Sequence, residues 1–246
     1  MDRKLGRLLD ELDSLNLADK TAVLFHGDHG YHMGEMGLWR KFTNFELATR
    51  VPLIVRAPWL HPAGAGTRRV SALVELVDLL PSIAELGGLA LPTNETFDGT
   101  SFAGLLGGGE AAGGGGGGGG EDGAAPAGWP KQAAFSQYPR RVTNPATPWK
   151  GNEILHHDRK TFTHMGYSIR TEDWRYTEWV AWNGTALAPV WTNLTARELY
   201  EHRAEAAYPT DFNSGEVANV AANQSYADVC ANLSRQLRAQ FASHRS

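Results

Sequence analysis

The stretch from Gly107 to Gly128 is the sequence feature that most limits how this chain can fold. It consists almost entirely of glycine and alanine with a few acidic residues, and positions 113–120 are consecutive glycines. Such a stretch has almost no side-chain surface to bury, so it is typical of a flexible linker or a surface insertion. The sequence therefore predicts two folded regions, 1–106 and 131–246, on either side of a glycine-rich segment at 107–130.

The first region alternates helical and extended patterns, which is typical of an α/β layer. Leucines at helical spacing near the N-terminus and short apolar runs further on give the predicted elements. These are a helix at about Lys4–Leu15, a strand at Thr21–Phe25, a loop at Gly27–Lys41, a strand at Val51–Arg56 and a helix at Leu73–Leu86. Ser71 is the expected cap of this last helix, Pro81 is expected to kink or split it, and Gly87-Gly88 is expected to end it.

The second region is rich in aromatic and β-prone residues, which favours a small antiparallel sheet. The predicted strands include Gly166–Arg170, Arg175–Trp182 and Glu198–Tyr200, followed by a helix at about Tyr226–Phe241. Trp174, Tyr176 and Trp179 are expected in the core of this sheet.

The loop after the first predicted strand carries the groups best suited to chemistry. Asp28 follows the strand closely, and Lys41 lies thirteen positions further on. Ligand sites of open α/β sheets lie beyond the carboxyl ends of the strands, where loops can carry charge. A carboxylate is a good ligand for a hard divalent cation, and an ammonium group can stabilise an anionic oxygen. The pattern predicts half of a metal-assisted ester-hydrolysing site.

The residues from Gly27 to Lys41, G-D-H-G-Y-H-M-G-E-M-G-L-W-R-K, resemble the sulfatase motif S-D-H-G-x-x-x-G-E-x-G-x-W-x-K. Several later phrases are similar to the iduronate-2-sulfatase branch of that family. They are Ser136–Arg140, Met165–Thr171, Trp174–Trp179, Glu198–Glu201 and Glu216–Val220. The resemblance covers most of the chain outside the glycine tract. It implies the C-terminal part of an alkaline-phosphatase-like α/β sulfatase sheet, followed by a small antiparallel sheet domain with a packed helix.

The resemblance also implies a role for individual residues. Asp28 and His29 would bind one divalent metal ion, expected to be Ca²⁺, although an imidazole suits transition metals better than calcium. His29 could instead bond the nucleophile or the sulfate. Lys41 would be the catalytic group that also binds the sulfate. Substrate contacts are expected from Tyr31 and from three residues of the later phrases, Gln137, Tyr138 and Arg140.

Other loop residues are expected to shape the site rather than to react. Gly30, Gly34 and Gly37 are expected to adopt left-handed backbone angles, and Glu35 is expected to accept hydrogen bonds from backbone amides. His32 is expected to be an exposed loop histidine. Gly27, Met36 and Phe42 depart from the residues usual in this branch, which bears on sugar specificity more than on sulfate chemistry.

The family's nucleophile is a formylglycine made from the cysteine or serine of a C-x-P-S-R phrase, and this chain contains no such phrase. Cys230 stands in a different context, in what is expected to be a polar tail. We therefore expect a fragment whose missing N-terminal half supplies the formylglycine and further metal ligands. Two alternatives remain, a phosphate-ester hydrolase of the same superfamily and a non-catalytic relic that binds sulfated glycans.

Composition and targeting signals bear on the class of ligand and on the cellular location. A net charge of −4 gives no indication of nucleic-acid binding. The sequence contains no apolar run of the roughly 20 residues that span a bilayer, and its N-terminus has no signal-peptide core. Sequons for N-glycosylation occur at Asn94, Asn183, Asn193, Asn223 and Asn232. Together with the resemblance, they predict a lysosomal or secretory glycoprotein that degrades a sulfated sugar or glycosaminoglycan.

Overall fold

A computed structural model describes residues 1–60, 67, 69–107, 129–141, 158–202 and 216–243. The helices described are α1 (Asp2–Ser14), α2 (Glu46–Thr49), α3 (Leu79–Leu86), α4 (Ala103–Leu106) and α5 (Ala227–Ser243). The strands described are β1 (Val23–His26), β2 (His32–Met33), β3 (Trp39–Arg40), β4 (Leu53–Arg56), β5 (Ala134–Arg140), β6 (His164–Arg170), β7 (Trp174–Asn183) and β8 (Ala188–Glu201).

The chain forms two compact units, each built from two segments. The first unit comprises Met1–Asp28 and Pro52–Lys131, and the second comprises His29–Val51 and Gln132–Ser246. The domain limits expected from the sequence stay a prediction. Most of the predicted glycine-rich segment, 108–128, lies outside the described residues. Within the described part of the chain, no helix is both long and apolar enough to cross a membrane.

In the first unit, β1 and β4 form an antiparallel pair in which Phe25 lies opposite Ile54. These are the two strands expected from the apolar runs. Beside them, Phe102, Leu105 and Trp129 form a buried cluster. The indole Nε1 of Trp129 also donates to the carbonyl of Leu73 at 3.0 Å. The residues that flank positions 108–128 on both sides therefore pack into the same core.

The helix predicted from Leu73 begins later, at Leu79, and Ser71 does not cap it. The reason is Asp78, whose carboxylate accepts the backbone N–H of Glu75 at 2.8 Å and closes a short 3₁₀ turn ahead of the helix. Pro81 consequently lies in the first turn, where a missing N–H costs nothing. The predicted C-terminus is confirmed, because α3 ends at Leu86 and Gly88 has a φ of 65°.

In the second unit, strands β5 to β8 form one antiparallel sheet, as expected, and the strands lie in sequence order. Helix α5 packs on it and contributes Cys230, Leu233 and Leu237 to the core. Cys230 is thus buried rather than part of a polar tail. Of the aromatic residues expected in the core, Trp174 and Tyr176 are buried, whereas Trp179 is only half-buried.

Helix α5 is held to the sheet by a buried carboxylate as well as by apolar packing. Glu178 of β7 accepts hydrogen bonds from the hydroxyl of Tyr176 at 2.9 Å and the hydroxyl of Ser234 at 2.7 Å. Arg238 donates its Nε to the other oxygen at 2.9 Å. The buried carboxylate is therefore hydrogen-bonded from both the sheet and the helix, which joins the two layers.

Candidate active-site loop

The loop from His29 to Phe45 contains a small hairpin in which β2 pairs with β3. Gly34 and Gly37 have the expected left-handed backbone, with φ of 121° and 71°. Gly30 does not have this backbone, so the expectation is wrong there. Glycine is needed at this position because a Cβ would lie 1.8 Å from the carbonyl oxygen of Leu47. Glu35 accepts the N–H of Met33 at 2.5 Å, as expected, and this bond lowers the pKa of its carboxyl group.

Lys41 and His29 are brought together in the second unit. The ammonium group of Lys41 contacts the Nε2 of His29, while the Nδ1 of His29 lies 2.8 Å from the carbonyl oxygen of Gly30. An ammonium group has only donors, so Nε2 must accept and Nδ1 must carry the proton. Both ring nitrogens of this neutral tautomer are therefore engaged.

Asp28 is an exposed residue just past the end of β1, and it is the last residue of the first unit before the chain enters the second. The N–H of Gly27 bonds the carbonyl of Pro52 at 3.3 Å, next to the last β1–β4 pair, so Asp28 is the first residue beyond this backbone pairing. The placement suits a group that must meet a cation from solution.

The expected substrate-contact residues fall into two kinds. Tyr31 is exposed over 54% of its surface, and Gln137 is exposed on β5. Tyr138 and Arg140 lie on the same face of β5, where the guanidinium of Arg140 sits 5.0 Å from the Tyr138 ring and 5.3 Å from the ring of Trp179. Burial lowers the pKa of Arg140, although Tyr138 and Glu198 oppose this shift. The Arg140 guanidinium is thus in contact with two aromatic rings.

His32 is fully buried, so the expectation of an exposed loop histidine is wrong. Its Nε2 lies 2.8 Å from the hydroxyl of Thr43, and its ring meets Phe45 edge to face. Among the described residues the buried Nδ1 has no hydrogen-bond partner. Burial lowers the pKa of His32, with Glu35 and Glu216 opposing the shift. The residue fastens the loop in its neutral form.

A second group of possible ligands lies in the interior of the same unit and was not anticipated as a site. Glu46, His202 and Glu216 are all buried and offer ligand atoms within 4.8 Å of one another. However, Arg175 is buried between the two carboxylates and donates to both. Arg170 adds a second guanidinium, 3.1 Å from Glu46.

The carboxylates in this cluster are already paired, because three arginines, Arg50, Arg170 and Arg175, face the two glutamates. Burial alone would raise the pKa of Glu46, but Arg175 and Arg170 lower it to about 2. For Arg175, burial would lower the pKa, and Glu216 and Glu46 raise it. A divalent cation entering here would face a guanidinium on each carboxylate. We therefore interpret the cluster as a structural ion-pair network rather than a metal centre.

Comparisons with known proteins support the motif found in the loop. Residues 1–89 match the family model described as sulfatase. Human iduronate 2-sulfatase is 34% identical over 222 residues, which is 81% of this chain and 40% of that protein. An N-acetylglucosamine-6-O-sulfatase of Bacteroides thetaiotaomicron is 29% identical over 138 residues, covering 56% of this chain and 22% of that protein.

The fold comparison gives the same picture. The solved phosphonate monoester hydrolase of Agrobacterium radiobacter superposes with a TM-score of 0.64 at 26% identity, covering 99% of this chain and 39% of that one. The chain spans about 40% of the length of its iduronate 2-sulfatase relative. The chain resembles the sulfatase family over residues 1–89, and its similarity to part of iduronate 2-sulfatase extends over 81% of its length.

Proposed function

We propose that the protein hydrolyses sulfate esters of a sulfated sugar or glycosaminoglycan, with a divalent metal ion, and that this chain contributes the Asp28 to Lys41 part of the site. The observation that carries the proposal is the contact between the ammonium of Lys41 and the imidazole of His29. It fixes a positive charge beside a polar group in the loop that the sulfatase motif marks. Positive charge at such a point stabilises the oxygens that gain negative charge during ester cleavage.

The loop residues fit the metal unequally. The exposed carboxylate of Asp28 suits a hard cation such as Ca²⁺, which prefers oxygen ligands. His29 has both ring nitrogens engaged, by Gly30 and by Lys41. We therefore propose Asp28 as this chain's main metal ligand and His29 as the group that orients Lys41. The metal role of His29 stays a prediction, and a bound cation would add Lewis-acid stabilisation of the ester oxygens.

For the sugar, we propose contacts from Tyr31, Gln137, Tyr138 and Arg140. A guanidinium stacked between rings keeps its N–H groups at its edge, and that edge can bond a carboxylate in a bidentate manner. The Arg140 guanidinium lies over the rings of both Tyr138 and Trp179, at 5.0 and 5.3 Å from their centres. A sulfated uronic acid, which carries both a sulfate and a carboxylate, is the substrate class that would use both Lys41 and Arg140.

We further propose that the nucleophile, a formylglycine, and additional metal ligands come from a preceding half of the sulfatase domain. The cysteine of this chain, Cys230, is buried, and burial raises the pKa of its thiol. A thiol in that state is a poor nucleophile. We propose a lysosomal or secretory location. The exposed sequon residues Asn183, Asn193 and Asn223 support it, since each could accept a glycan.

The test is a hydrolysis assay on the protein made from its complete transcript, with a sulfated uronoside and a simple aryl sulfate as substrates. We expect sulfate release from both, and a loss of at least about 100-fold in kcat in the Lys41→Ala variant if its charge acts in the transition state. Lys20→Ala, an exposed lysine of the first unit, is the matched control. Equal activity of the two variants would contradict the role of Lys41.

A second candidate is hydrolysis of phosphate or phosphonate esters, supported by the similarity to the Agrobacterium radiobacter phosphonate monoester hydrolase. Running a phosphonate monoester beside the sulfate esters in the same assay separates the two. A higher kcat/KM for the phosphonate would favour this candidate. Binding of a sulfated glycan without any product would instead favour the non-catalytic relic.

A further inference from the structure

In the segment that follows Lys41, every second residue from Phe42 to Glu46 contacts the four-stranded sheet. Asn44 donates its amide to the carbonyl of Gly166 at 3.1 Å and accepts the hydroxyl of Ser136 at 3.0 Å. Glu46 enters the buried ion-pair network described above. Phe42 makes the first of these contacts and is the one next to Lys41.

Phe42 is held in an unusual conformation. Its φ is 83°, and that of Arg40 is 73°, so left-handed residues other than glycine flank Lys41 on both sides. Such angles cost about 1 kcal/mol or more for a residue with a side chain and persist only where surrounding contacts fix them. The Phe42 ring supplies such a contact, because it stacks on Tyr138 with centroids 6.0 Å apart and planes 24° apart.

The Tyr138 ring is in turn part of a longer stack. Tyr138 lies opposite Gly166, which lies opposite Trp179 on the next strand. A Cβ on Gly166 would lie 2.7 Å from the Trp179 ring, so this ring lies directly over the glycine. It thereby reaches Arg140, which contacts both Trp179 and Tyr138.

The far end of the stack is anchored. The indole Nε1 of Trp179 donates to Glu198 at 2.8 Å, and the hydroxyl of Tyr200 donates to the other oxygen of that carboxylate at 3.2 Å. The aromatic stack, defined as Phe42, Tyr138, Arg140 and Trp179, therefore links the Lys41 loop to three strands of the sheet.

We propose that Phe42 is a positioning residue for Lys41: its stacking on Tyr138 holds the left-handed turn that presents the Lys41 ammonium to the Nε2 of His29. The ammonium lies 5.7 Å from the centre of the Phe42 ring, which adds a cation–π attraction in the same direction. The proposal concerns the geometry of the pair and does not depend on which ester the protein cleaves.

The test uses ¹⁵N NMR of the His29 imidazole and of the Lys41 ammonium in the full chain. The Lys41→Ala variant provides the reference spectrum, because its His29 imidazole no longer contacts the Lys41 ammonium. Phe42→Ala is then expected to move the His29 Nε2 signal most of the way to that reference, while the core signals of Ile169 and Val180 stay in place. Phe42→Tyr, which keeps the stack, is expected to restore the original signal.

A second variant changes the sheet and leaves the loop sequence intact, so a folding defect caused by a substitution in the loop cannot explain its result. Tyr138→Leu leaves residue 42 unchanged and removes its stacking partner, and we expect the same direction of shift. A His29 Nε2 signal that stays at its original position in both Phe42→Ala and Tyr138→Leu would overturn the proposal. Because no turnover is measured, a failure of sulfate hydrolysis would not affect this outcome.

Discussion

Two groups of polar side chains in the second unit differ in how completely their charges are paired. The buried network of Glu46, Arg175, Glu216 and His202 has a guanidinium between its two carboxylates. The pair of His29 and Lys41 lies in a half-buried loop, and it contains one ammonium group facing a neutral imidazole. The first has residue types that ligate metals, and the second carries the sulfatase motif.

The difference shows that a close set of metal-ligating residue types is not sufficient for a metal site. Where arginines already neutralise the carboxylates, a cation gains little and must displace buried hydrogen bonds. In the loop, the Lys41 ammonium contacts the imidazole of His29 and the ring of Phe42, two groups that carry no carboxylate. A group in that state has more to gain from an anionic ligand.

The largest effect is expected from Arg175→Met. This change leaves the carboxylates of Glu46 and Glu216 buried without their shared guanidinium, which should lower the free energy of unfolding by about 3–5 kcal/mol. Urea denaturation measures it, with Arg235→Met on the exposed side of α5 as the control. A loss below about 1 kcal/mol would show that the network is not structural.

Acid should weaken the same network. The folded-state pKa of Glu46 is about 2, against an ordinary value of 4.5. A lowered pKa gives stability that is complete above pH 4.5 and is lost as the pH falls towards 2, by up to about 3 kcal/mol. Urea midpoints measured from pH 6 to pH 2.5 test this. A Glu46→Gln variant should show a shallower dependence on pH than the unmodified chain, and an unchanged slope would contradict the assignment.

The aromatic stack should tolerate little extra volume at Gly166. In Gly166→Ala the new methyl group meets the Trp179 ring, so we expect a loss of about 1–3 kcal/mol in unfolding free energy. Gly6→Ala is the matched control, because a Cβ there has nothing within 4 Å and α1 should gain slightly. Thermal unfolding compares the two. A neutral Gly166→Ala would mean that the Trp179 ring moves aside freely.

A smaller effect is expected on the loop side from Thr43→Val. The change removes the hydroxyl that bonds the buried Nε2 of His32 and should cost about 1 kcal/mol. Thr21→Val, which removes a hydroxyl bonded to the carbonyl of Leu17 at 2.8 Å nearer the surface, is the control. Denaturant midpoints give the comparison. Equal losses would indicate that burial of His32 adds nothing.

Local patterns in the sequence predicted the local structure well. Apolar runs and aromatic alternation located β1, β4, β6 and β7, and the paired glycines located the end of α3. The start of α3 was misplaced because it depends on Asp78, whose other carboxylate oxygen accepts the N–H of Thr100 at 2.7 Å, 22 residues away. Contacts between distant residues are not visible in a short window of sequence.

The sequence indicated which residues form the candidate site, but it did not indicate their contacts. The motif spacing indicated His29 and Lys41, and the structure brings these two together. The ion-pair network joins Glu46 to Arg175 across 129 positions, so no spacing rule could reveal it. A signal did exist, since Arg175 and Glu216 both fall within phrases shared with the iduronate-2-sulfatase branch. In these two phrases, Arg175 and Glu216 hold the fold together.

The most direct test of the contrast is a Ca²⁺ titration of the full chain followed by NMR of its carboxylate and imidazole groups. The account predicts shifts at Asp28 in the loop and none at Glu46, Glu216 or His202. Shifts confined to the buried network, with Asp28 unaffected, would contradict it and would make that network the metal centre.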